Sequence, residues 1–197
     1  MAMHKLIVTR RTALIGAALL AACKPAASTT AAATTAPAAP PADDPRFAAI
    51  EQTLLGGKLG VAALNTANGA WLRNRADERF AMCSTFKWML AAFILNKAQS
   101  GALRLDAPIR YTRADLLGNS PVTQANMARG AMTIEDMCAA AVEQSDNAAA
   151  NLLLAQVGGP AGLDDFVHAH GDSTTRFDRA EPELNQIAAG DERDTST

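Results

Sequence analysis

Ser84 and Lys87 form the only Ser-x-x-Lys sequence in the chain, and their spacing suits nucleophilic catalysis. Residues three positions apart lie on one face of a helix, so the Lys87 amine can reach the Ser84 hydroxyl. The first amides of that helix would favour an anion forming there. The structural alternative is a helix-capping Ser followed by a surface Lys, and a chain of this length contains about one such sequence by chance.

A second cluster, Ser145-Asp146-Asn147, opens another predicted helix. The Ser145 hydroxyl can relay a proton, and the Asn147 amide can hold an amide group of a substrate. The same three residue types also suit a helix cap, because their side chains accept hydrogen bonds from the first amides of a helix. The position of this cluster after Ser-x-x-Lys favours the chemical interpretation.

Glu181 and Asn185 are four residues apart in a stretch rich in charge. A carboxylate and an amide at this spacing on a turn could hold one water molecule between them, which would make Glu181 a general base. The alternative is an ordinary charged surface loop.

Histidine offers little chemistry in this sequence, which has His4, His168 and His170 only. His168 and His170 are two positions apart on a predicted helix and would point to different faces, which argues against a shared metal. The chain has no Gly-x-Ser-x-Gly sequence around a nucleophile. The sequence therefore predicts neither a metal nor a cofactor.

The elements that must position these residues are mostly helical. The hydrophobic pattern and the Gly and Pro breaks predict helices over 84–99, 133–143, 146–157 and 160–170, with a first helix within 43–55. Asn68-Gly69 predicts a hairpin between strands in 59–65 and 70–73. The run 88–95 is apolar on every side, which predicts burial all round. No clear third strand follows the hairpin.

The composition suits one globular domain, with 197 residues, a net charge of −2 and 49% hydrophobic residues. The first 22 residues hold three basic side chains and no acidic one, so the remainder is more acidic than the whole. This balance gives no basic surface for a phosphate backbone, and the sequence predicts no nucleic acid partner.

Residues 1–22 have a basic start and a short apolar run, which predicts an export signal. Arg10-Arg11 resembles a twin-arginine signal, and Ala13 stands where a large apolar residue is usual, so both export routes remain open. Leu20-Ala21-Ala22-Cys23 resembles a lipobox, which would make Cys23 a lipidated membrane tether in the periplasm; a chance Cys is the alternative. The Ala, Thr and Pro of 23–42 predict a flexible tether before a domain at 43–197.

Taken together, the three clusters in this order resemble the class A serine β-lactamases. Penicillin-binding peptidases share the first two clusters, whereas the Glu-x-x-x-Asn loop is typical of the lactamases. The resemblance covers about 44–197. It implies an α/β (α+β) fold of the β-lactamase and penicillin-binding peptidase type, with an all-helical subdomain and an antiparallel sheet with a flanking helix. It also implies a monomer that acts on β-lactam small molecules.

The resemblance assigns the chemistry to five residues. Ser84 would attack the lactam carbonyl and form an acyl-enzyme, and either Lys87 or Glu181 through a water would take its proton. Ser145 would pass a proton to the leaving nitrogen, and Asn147 would bind the acylamide carbonyl of the substrate. The Ser84 backbone amide would supply half of the oxyanion hole.

The resemblance also implies how the Glu181 loop is held. Asn185 would help Glu181 to position the hydrolytic water. Asn151 would support the loop from beneath, and Arg179 would pair with Asp194 across its neck.

Three positions depart from the usual family pattern. The resemblance implies that Asn119, which precedes the stretch 120–123, binds substrate at the entrance of the site, where an aromatic residue is common. Cys83 resembles a subset that includes carbapenemases, in which it bonds a Cys on a later strand. Cys138 lacks its common family partner, because Ala91 occupies that place. Whether Cys83 and Cys138 bond each other stays open.

The Lys-Thr-Gly sequence of the family, which binds the substrate carboxylate, does not occur in these 197 residues. We therefore expect a C-terminally incomplete domain and an inactive chain. The alternative from another class is a non-catalytic tethered lipoprotein that β-lactams acylate without turnover.

Overall fold

The computed structural model describes residues 41–197. Its helices are α1 (Arg46–Glu51), α2 (Phe86–Gln99), α3 (Pro121–Ala125), α4 (Ile134–Glu143), α5 (Asn147–Gln156) and α6 (Gly159–Ala169). Its strands are β1 (Val61–Leu64), β2 (Trp71–Asn74), β3 (Phe80–Ala81), β4 (Pro108–Arg110), β5 (Ala131–Thr133) and β6 (Thr195–Ser196). The export signal, Cys23 and nearly all of the 23–42 tether lie outside the described residues.

The core is formed where α2 packs against α4, α5 and α6. The side chains of Leu90, Ile94, Met137, Leu153 and Leu163 are completely buried there. These four helices agree with the sequence prediction to within two residues at each end. None of the helices in 41–197 is long and apolar enough to cross a membrane.

The helices of the core begin at identifiable caps. The Thr133 hydroxyl accepts a hydrogen bond from the Asp136 amide at the start of α4, at 3.0 Å. The Asp146 carboxylate accepts one from the Ala149 amide at the start of α5, at 2.9 Å. Both side chains satisfy amides that have no partner within their helix.

The prediction that 88–95 is buried all round is wrong within the described residues. Leu90 and Ile94 are buried, but Trp88 is 58% exposed and Leu95 is 48% exposed. The apolar sequence shows which side chains could be buried, whereas actual burial depends on neighbours. Here α4, α5 and α6 cover one side of α2 and leave Trp88 and Leu95 uncovered.

The predicted hairpin is confirmed. β1 and β2 pair antiparallel, with Val61 opposite Asn74 and Leu64 opposite Trp71. The connecting turn contains Gly69 at a φ of 73°, a left-handed conformation that glycine adopts without a steric penalty. Within residues 41–197 this sheet has two strands.

The absence of a clear further strand before Thr197 was a wrong expectation. β3 pairs with β6, and β4 pairs with β5, each as a separate two-stranded sheet. These strands have only two or three residues, too few for a period-2 pattern to be visible in the sequence. The β3–β6 pair matters for the site, because it fixes the chain immediately before Ser84.

The first helix is shorter than the predicted 43–55 region, since α1 covers Arg46–Glu51 and buries none of its side chains. It is held to the hairpin by Glu51, whose carboxylate accepts hydrogen bonds from Arg75 Nε at 2.6 Å and from the Leu59 amide at 3.0 Å. The contacts of α1 are thus polar and peripheral to the core.

Candidate active site

Ser84 lies in a short 3₁₀ turn, Cys83–Thr85, that leads directly into α2. The preceding residue, Met82, donates its amide to the Asp194 carbonyl at 2.9 Å, and its own carbonyl accepts from the Thr85 amide at 3.0 Å. Ser84 is exposed. Its backbone amide makes no hydrogen bond to another described residue, which leaves that donor free for an oxyanion.

Lys87 lies one turn further along the chain, and its ammonium group is surrounded by oxygen atoms. Nζ is 3.2 Å from Ser84 Oγ, 3.0 Å from both the hydroxyl and the carbonyl oxygen of Ser145, and 2.6 Å from Asn147 Oδ1. It is also 3.0 Å from Glu181 Oε1. The structure therefore brings together the three sequence clusters around one amine.

Lys87 and Glu181 form a buried ion pair, with side chains that are 2% and 0% exposed. An ammonium has three protons. Four oxygen atoms compete for them: Ser84 Oγ, the hydroxyl and carbonyl oxygens of Ser145, and Asn147 Oδ1. The contact to Glu181 Oε1 is accordingly ionic and not a well-directed hydrogen bond. Oε1 thus keeps acceptor capacity for a water molecule.

The other Glu181 oxygen is engaged with the predicted partner. Asn185 Nδ2 donates to Glu181 Oε2 at 2.7 Å. Asn185 belongs to a 3₁₀ turn, Glu183–Asn185, that follows a cis Glu181–Pro182 peptide bond. The carboxylate and the amide thus face each other across one turn of chain.

Asn151 on α5 holds the backbone of Glu181 with both ends of its side-chain amide. Its Nδ2 donates to the Glu181 carbonyl at 2.8 Å, and its Oδ1 accepts from the Glu181 amide at 3.0 Å. This two-point contact fixes Glu181 relative to α5, and therefore relative to Ser145 and Asn147 at the start of the same helix.

Arg179 and Asp194 join the two ends of the Glu181 loop. Arg179 Nε is 2.5 Å from Asp194 Oδ2, and Asp194 is 3% exposed. Asp194 Oδ1 also accepts from the amides of Asp178 and Arg179, at 2.8 and 2.9 Å. Asp194 is thus a buried carboxylate that accepts three hydrogen bonds, one of them from a charged guanidinium, and it holds the two ends of the loop firmly together.

The sequence predicted at most a helix-capping role for Asp146, yet Asp146 also connects the second cluster to α3. It is completely buried. Besides capping α5, its carboxylate accepts from the Val122 and Thr123 amides, both at 2.9 Å, and from the Thr123 hydroxyl at 3.0 Å. The signal in the sequence was the N-cap position of an Asp, which indicates an acceptor but not its distant donors.

Asn119 lies beside the second cluster. Its side-chain Nδ2 donates to the Ser145 carbonyl at 2.9 Å, and its own carbonyl accepts from the Asn147 amide at 2.9 Å. The Asn147 side chain in turn donates to the Gly118 carbonyl at 3.0 Å. Asn119 is exposed, and its contact with substrate stays a prediction.

The remaining candidates lie apart from this cluster. His168 Nδ1 is 3.5 Å from Asp164 Oδ2, and His170 Nδ1 contacts the Phe166 carbonyl, so both rings contact α6. Among the described residues, no three His, Cys, Asp or Glu side chains converge as a metal site.

Within the described residues, Cys83 and Cys138 are free thiols and not bonded to each other. Burial, with a smaller contribution from the Glu135 charge, raises the pKa of the Cys138 thiol to about 11. Cys138 is therefore protonated, and a poor nucleophile, near neutral pH.

Comparison with known proteins agrees with this geometry. Residues 46–197 match the model of the β-lactamase enzyme family. The carbapenem-hydrolyzing β-lactamase KPC of Klebsiella oxytoca is 50% identical over 77% of this chain and 51% of its own length. β-Lactamase L2 of Stenotrophomonas maltophilia is 47% identical over 77% of this chain and 49% of its own.

Solved structures show the same relationship. A β-lactamase from Burkholderia vietnamiensis superposes with a TM-score of 0.75 at 49% identity, over 82% of this chain and 59% of that one. An ancestral class A β-lactamase gives 0.75 at 50% identity, over 78% and 58%. The chain spans about half the length of the curated relatives it matches. The family match and these identities confirm the predicted fold class, and the chain belongs to the β-lactamase enzyme family.

Proposed function

We propose that the protein hydrolyses the β-lactam ring of penicillin- and cephalosporin-type antibiotics through an acyl-enzyme on Ser84, and so confers resistance to them. One observation carries the proposal. The buried Lys87 amine lies within 3.2 Å of Ser84 Oγ and 3.0 Å of both Ser145 Oγ and Glu181 Oε1. A nucleophile, a proton relay and a second base thus share one amine.

In acylation, Ser84 Oγ bonds to the lactam carbonyl carbon as its proton leaves. Two acceptors fit the geometry. Lys87 can take the proton directly once its own proton has passed to Glu181, 3.0 Å away, or Glu181 can take it through a water. The C–N bond then breaks, and the ring nitrogen receives the proton of the Ser145 hydroxyl, which Lys87 replaces across 3.0 Å. The Ser84 amide stabilises the oxyanion.

In deacylation, a water molecule attacks the ester carbonyl and gives its proton to Glu181. Glu181 Oε1 has acceptor capacity to spare, and Asn185, bound to Oε2, fixes the carboxylate. The C–O bond to Ser84 breaks, and the hydroxyl is restored with a proton from the base. Asn147, at the start of α5, would bind the acylamide carbonyl of the substrate.

The test is turnover of a chromogenic cephalosporin by the full-length protein. We expect hydrolysis that Ser84→Ala abolishes and that Ser173→Ala, a serine away from the cluster, leaves unchanged. Hydrolysis that survives in Ser84→Ala would contradict the proposed nucleophile.

The competing function is a tethered lipoprotein that β-lactams acylate without turnover. The two differ in the fate of the ester: a lactamase shows a mass increase on Ser84 that decays, whereas a binding protein shows one that persists. The Glu181–Asn185 contact favours decay, because it orients a carboxylate that can act as a general base and that lies 3.0 Å from the Lys87 amine.

A polypeptide of these 197 residues alone is proposed to be inactive. It contains no Lys-Thr-Gly sequence, and loss of one oxyanion donor typically costs about 10²–10³ in rate. Measurable cephalosporin turnover by this polypeptide, absent in its Ser84→Ala variant, would overturn this part of the proposal.

Export to the periplasm, lipidation of Cys23 and a monomeric state are also proposed, from the sequence of 1–42 and from the family resemblance. A Cys23→Ser protein that still partitions into membranes would contradict the lipid tether. Size-exclusion chromatography tests the monomer.

A further inference from the structure

Ser145 is held in an unusual backbone conformation. Its φ is 53°, in the left-handed region that residues with a Cβ rarely occupy. Such a conformation costs free energy and persists only where its surroundings fix it. The Ser145 carbonyl oxygen accepts two side-chain hydrogen bonds, from Lys87 Nζ at 3.0 Å and from Asn119 Nδ2 at 2.9 Å.

Asn119 makes two hydrogen bonds to the second cluster. Its side chain binds the Ser145 carbonyl, and its own carbonyl accepts from the Asn147 amide at 2.9 Å. Asn119 itself has a φ of 55°, a conformation that Asn tolerates better than most residues. Asn119 therefore contacts both Ser145 and Asn147 from a segment outside α5.

We propose that Asn119 is a positioning residue for Ser145, a role that rests on the proposed function. Its amide fixes the Ser145 carbonyl, so that the Ser145 hydroxyl stays within 3.0 Å of Lys87 Nζ. The step that depends on this geometry is proton delivery to the lactam nitrogen as the C–N bond breaks. Asn119 therefore acts on acylation, and not on the hydrolysis of the ester that Glu181 assists.

This role makes a different prediction from contact with substrate. A residue that touches the substrate side chain changes the rates of some substrates and not others. A residue that positions Ser145 changes acylation by the same factor for all of them, because every β-lactam releases a ring nitrogen that must be protonated.

Two variants of the full-length protein separate the side chain from the backbone. Asn119→Gly keeps access to the left-handed backbone conformation and removes the side-chain amide that binds the Ser145 carbonyl. Asn119→Asp keeps the shape and replaces the donor by an acceptor facing a carbonyl. Asn68→Asp, in the β1–β2 turn, controls for the added charge.

For Asn119→Gly we expect kcat/KM, which reports acylation, to fall by about threefold to tenfold, the equivalent of one hydrogen bond. The factor should match between a penicillin with an aromatic side chain and one without, and the decay rate of the Ser84 ester should not change. Asn119→Asp should lose more at neutral pH. It should recover relative to wild type as acid protonates the carboxyl group, which can then donate again.

The outcomes are distinguishable. If the wild-type protein neither hydrolyses a β-lactam nor forms a Ser84 ester, the proposed function fails. If wild type is active and Asn119→Gly is acylated at the wild-type rate, the positioning role is wrong, whatever happens to thermal stability. A loss confined to one class of substrate side chain would overturn positioning in favour of direct substrate contact.

Discussion

At the scale of single residues, the site is built around one buried ion pair. The side chains of Lys87 and Glu181 are both almost completely buried, with Nζ 3.0 Å from Oε1. A buried pair of this kind is strongly destabilised when one partner loses its charge, because the other charge is left without compensation. Substitutions here must therefore be judged by kinetics and folding together.

Glu181→Gln is expected to trap the acyl-enzyme. The amide cannot take a proton from the attacking water, so deacylation should fall by at least about 10² while Ser84 is still acylated, given the usual contribution of a general base. Intact-protein mass spectrometry after mixing with a penicillin measures the ester directly. Glu183→Gln, an exposed neighbour on the same turn, is the matched control and should deacylate at the wild-type rate.

An ester that disappears equally fast from the wild-type protein and from Glu181→Gln would show that another group activates the water. In that case the loop of Glu181 and Asn185 would be structural, and the nearest alternative base is Lys87. A circular dichroism spectrum matching that of wild type is needed to exclude a folding defect from the unpaired Lys87.

At the scale of helices and strands, the structure shows which elements a local sequence pattern can predict. The four core helices are rich in apolar residues and are marked by local caps, such as Thr133 and Asp146, or by Gly and Pro breaks, so they could be predicted. The hairpin followed from Asn68-Gly69. The pairing of β3 with β6 joins residues from opposite ends of the domain through two-residue strands, and no local pattern reveals such a contact.

The contacts of the candidate site likewise divide into local ones, which the sequence predicts, and ones between distant segments, which it does not. The spacing of Ser84 and Lys87 is local, so their contact could be predicted from a helix alone. The contacts of Asn151 with Glu181 and of Arg179 with Asp194 join distant segments, and only the family resemblance indicated them. The contacts of Asp146 with Val122 and of Asn119 with Ser145 also join residues far apart in sequence, by 24 and 26 positions, so no local pattern indicates them.

Asp146→Asn should weaken the junction between α3 and α5. The carboxylate accepts from the Val122 and Thr123 amides and from the Ala149 amide, and an Asn amide group would present N–H to one of these N–H donors. We expect a loss of about 1–3 kcal/mol in the free energy of unfolding, the cost of an unsatisfied buried group. Urea denaturation measures it.

Asp136→Asn is the control for this change, because Asp136 is exposed in the first turn of α4. It should change stability by less than about 1 kcal/mol. Equal losses in the two variants would show that the charge, and not the buried contacts of Asp146, determines the effect.

Glu51 should make the attachment of α1 to the hairpin dependent on pH. Hydrogen bonds from Arg75, and then from the Leu59 amide, lower the pKa of the Glu51 carboxyl from 4.5 to about 2. A group whose pKa is lowered on folding contributes stability above its unfolded pKa and loses it as the pH falls. Its contribution should therefore be full above pH 4.5 and lost between about 4.5 and 2.

The variant Glu51→Gln removes this titration. Stability measured against pH should fall less steeply in Glu51→Gln than in wild type across that interval, and the two curves should converge at its acid end. Glu143→Gln, on the exposed side of α4, should follow the wild-type curve. Parallel curves for wild type and Glu51→Gln would contradict the assignment.

At the scale of the whole molecule, burial is unevenly distributed over residues 41–197. The helices contain most of the completely buried side chains, including Leu90, Ile94 and Leu153, whereas α1 buries none. The strands of the hairpin are mostly exposed, with Trp71 and Leu72 each more than 40% accessible. Cooperative stability should therefore reside in the helices, and α1 and the hairpin should open independently.

Hydrogen exchange can test this division. Amides of α2 and α5 should exchange only through global unfolding, and those of α1 and the hairpin through local opening at lower free energy. Leu153→Ala should reduce protection across α2, α4, α5 and α6 together, by about 2–5 kcal/mol, because these helices share one core. It should leave the protection of the hairpin amides unchanged. Leu72→Ala on β2 should reduce the protection of the hairpin amides, by a smaller amount, and leave that of the helix amides unchanged. Hairpin amides as protected as those of α5, and equally sensitive to Leu153→Ala, would mean that the hairpin and the helices unfold as one unit.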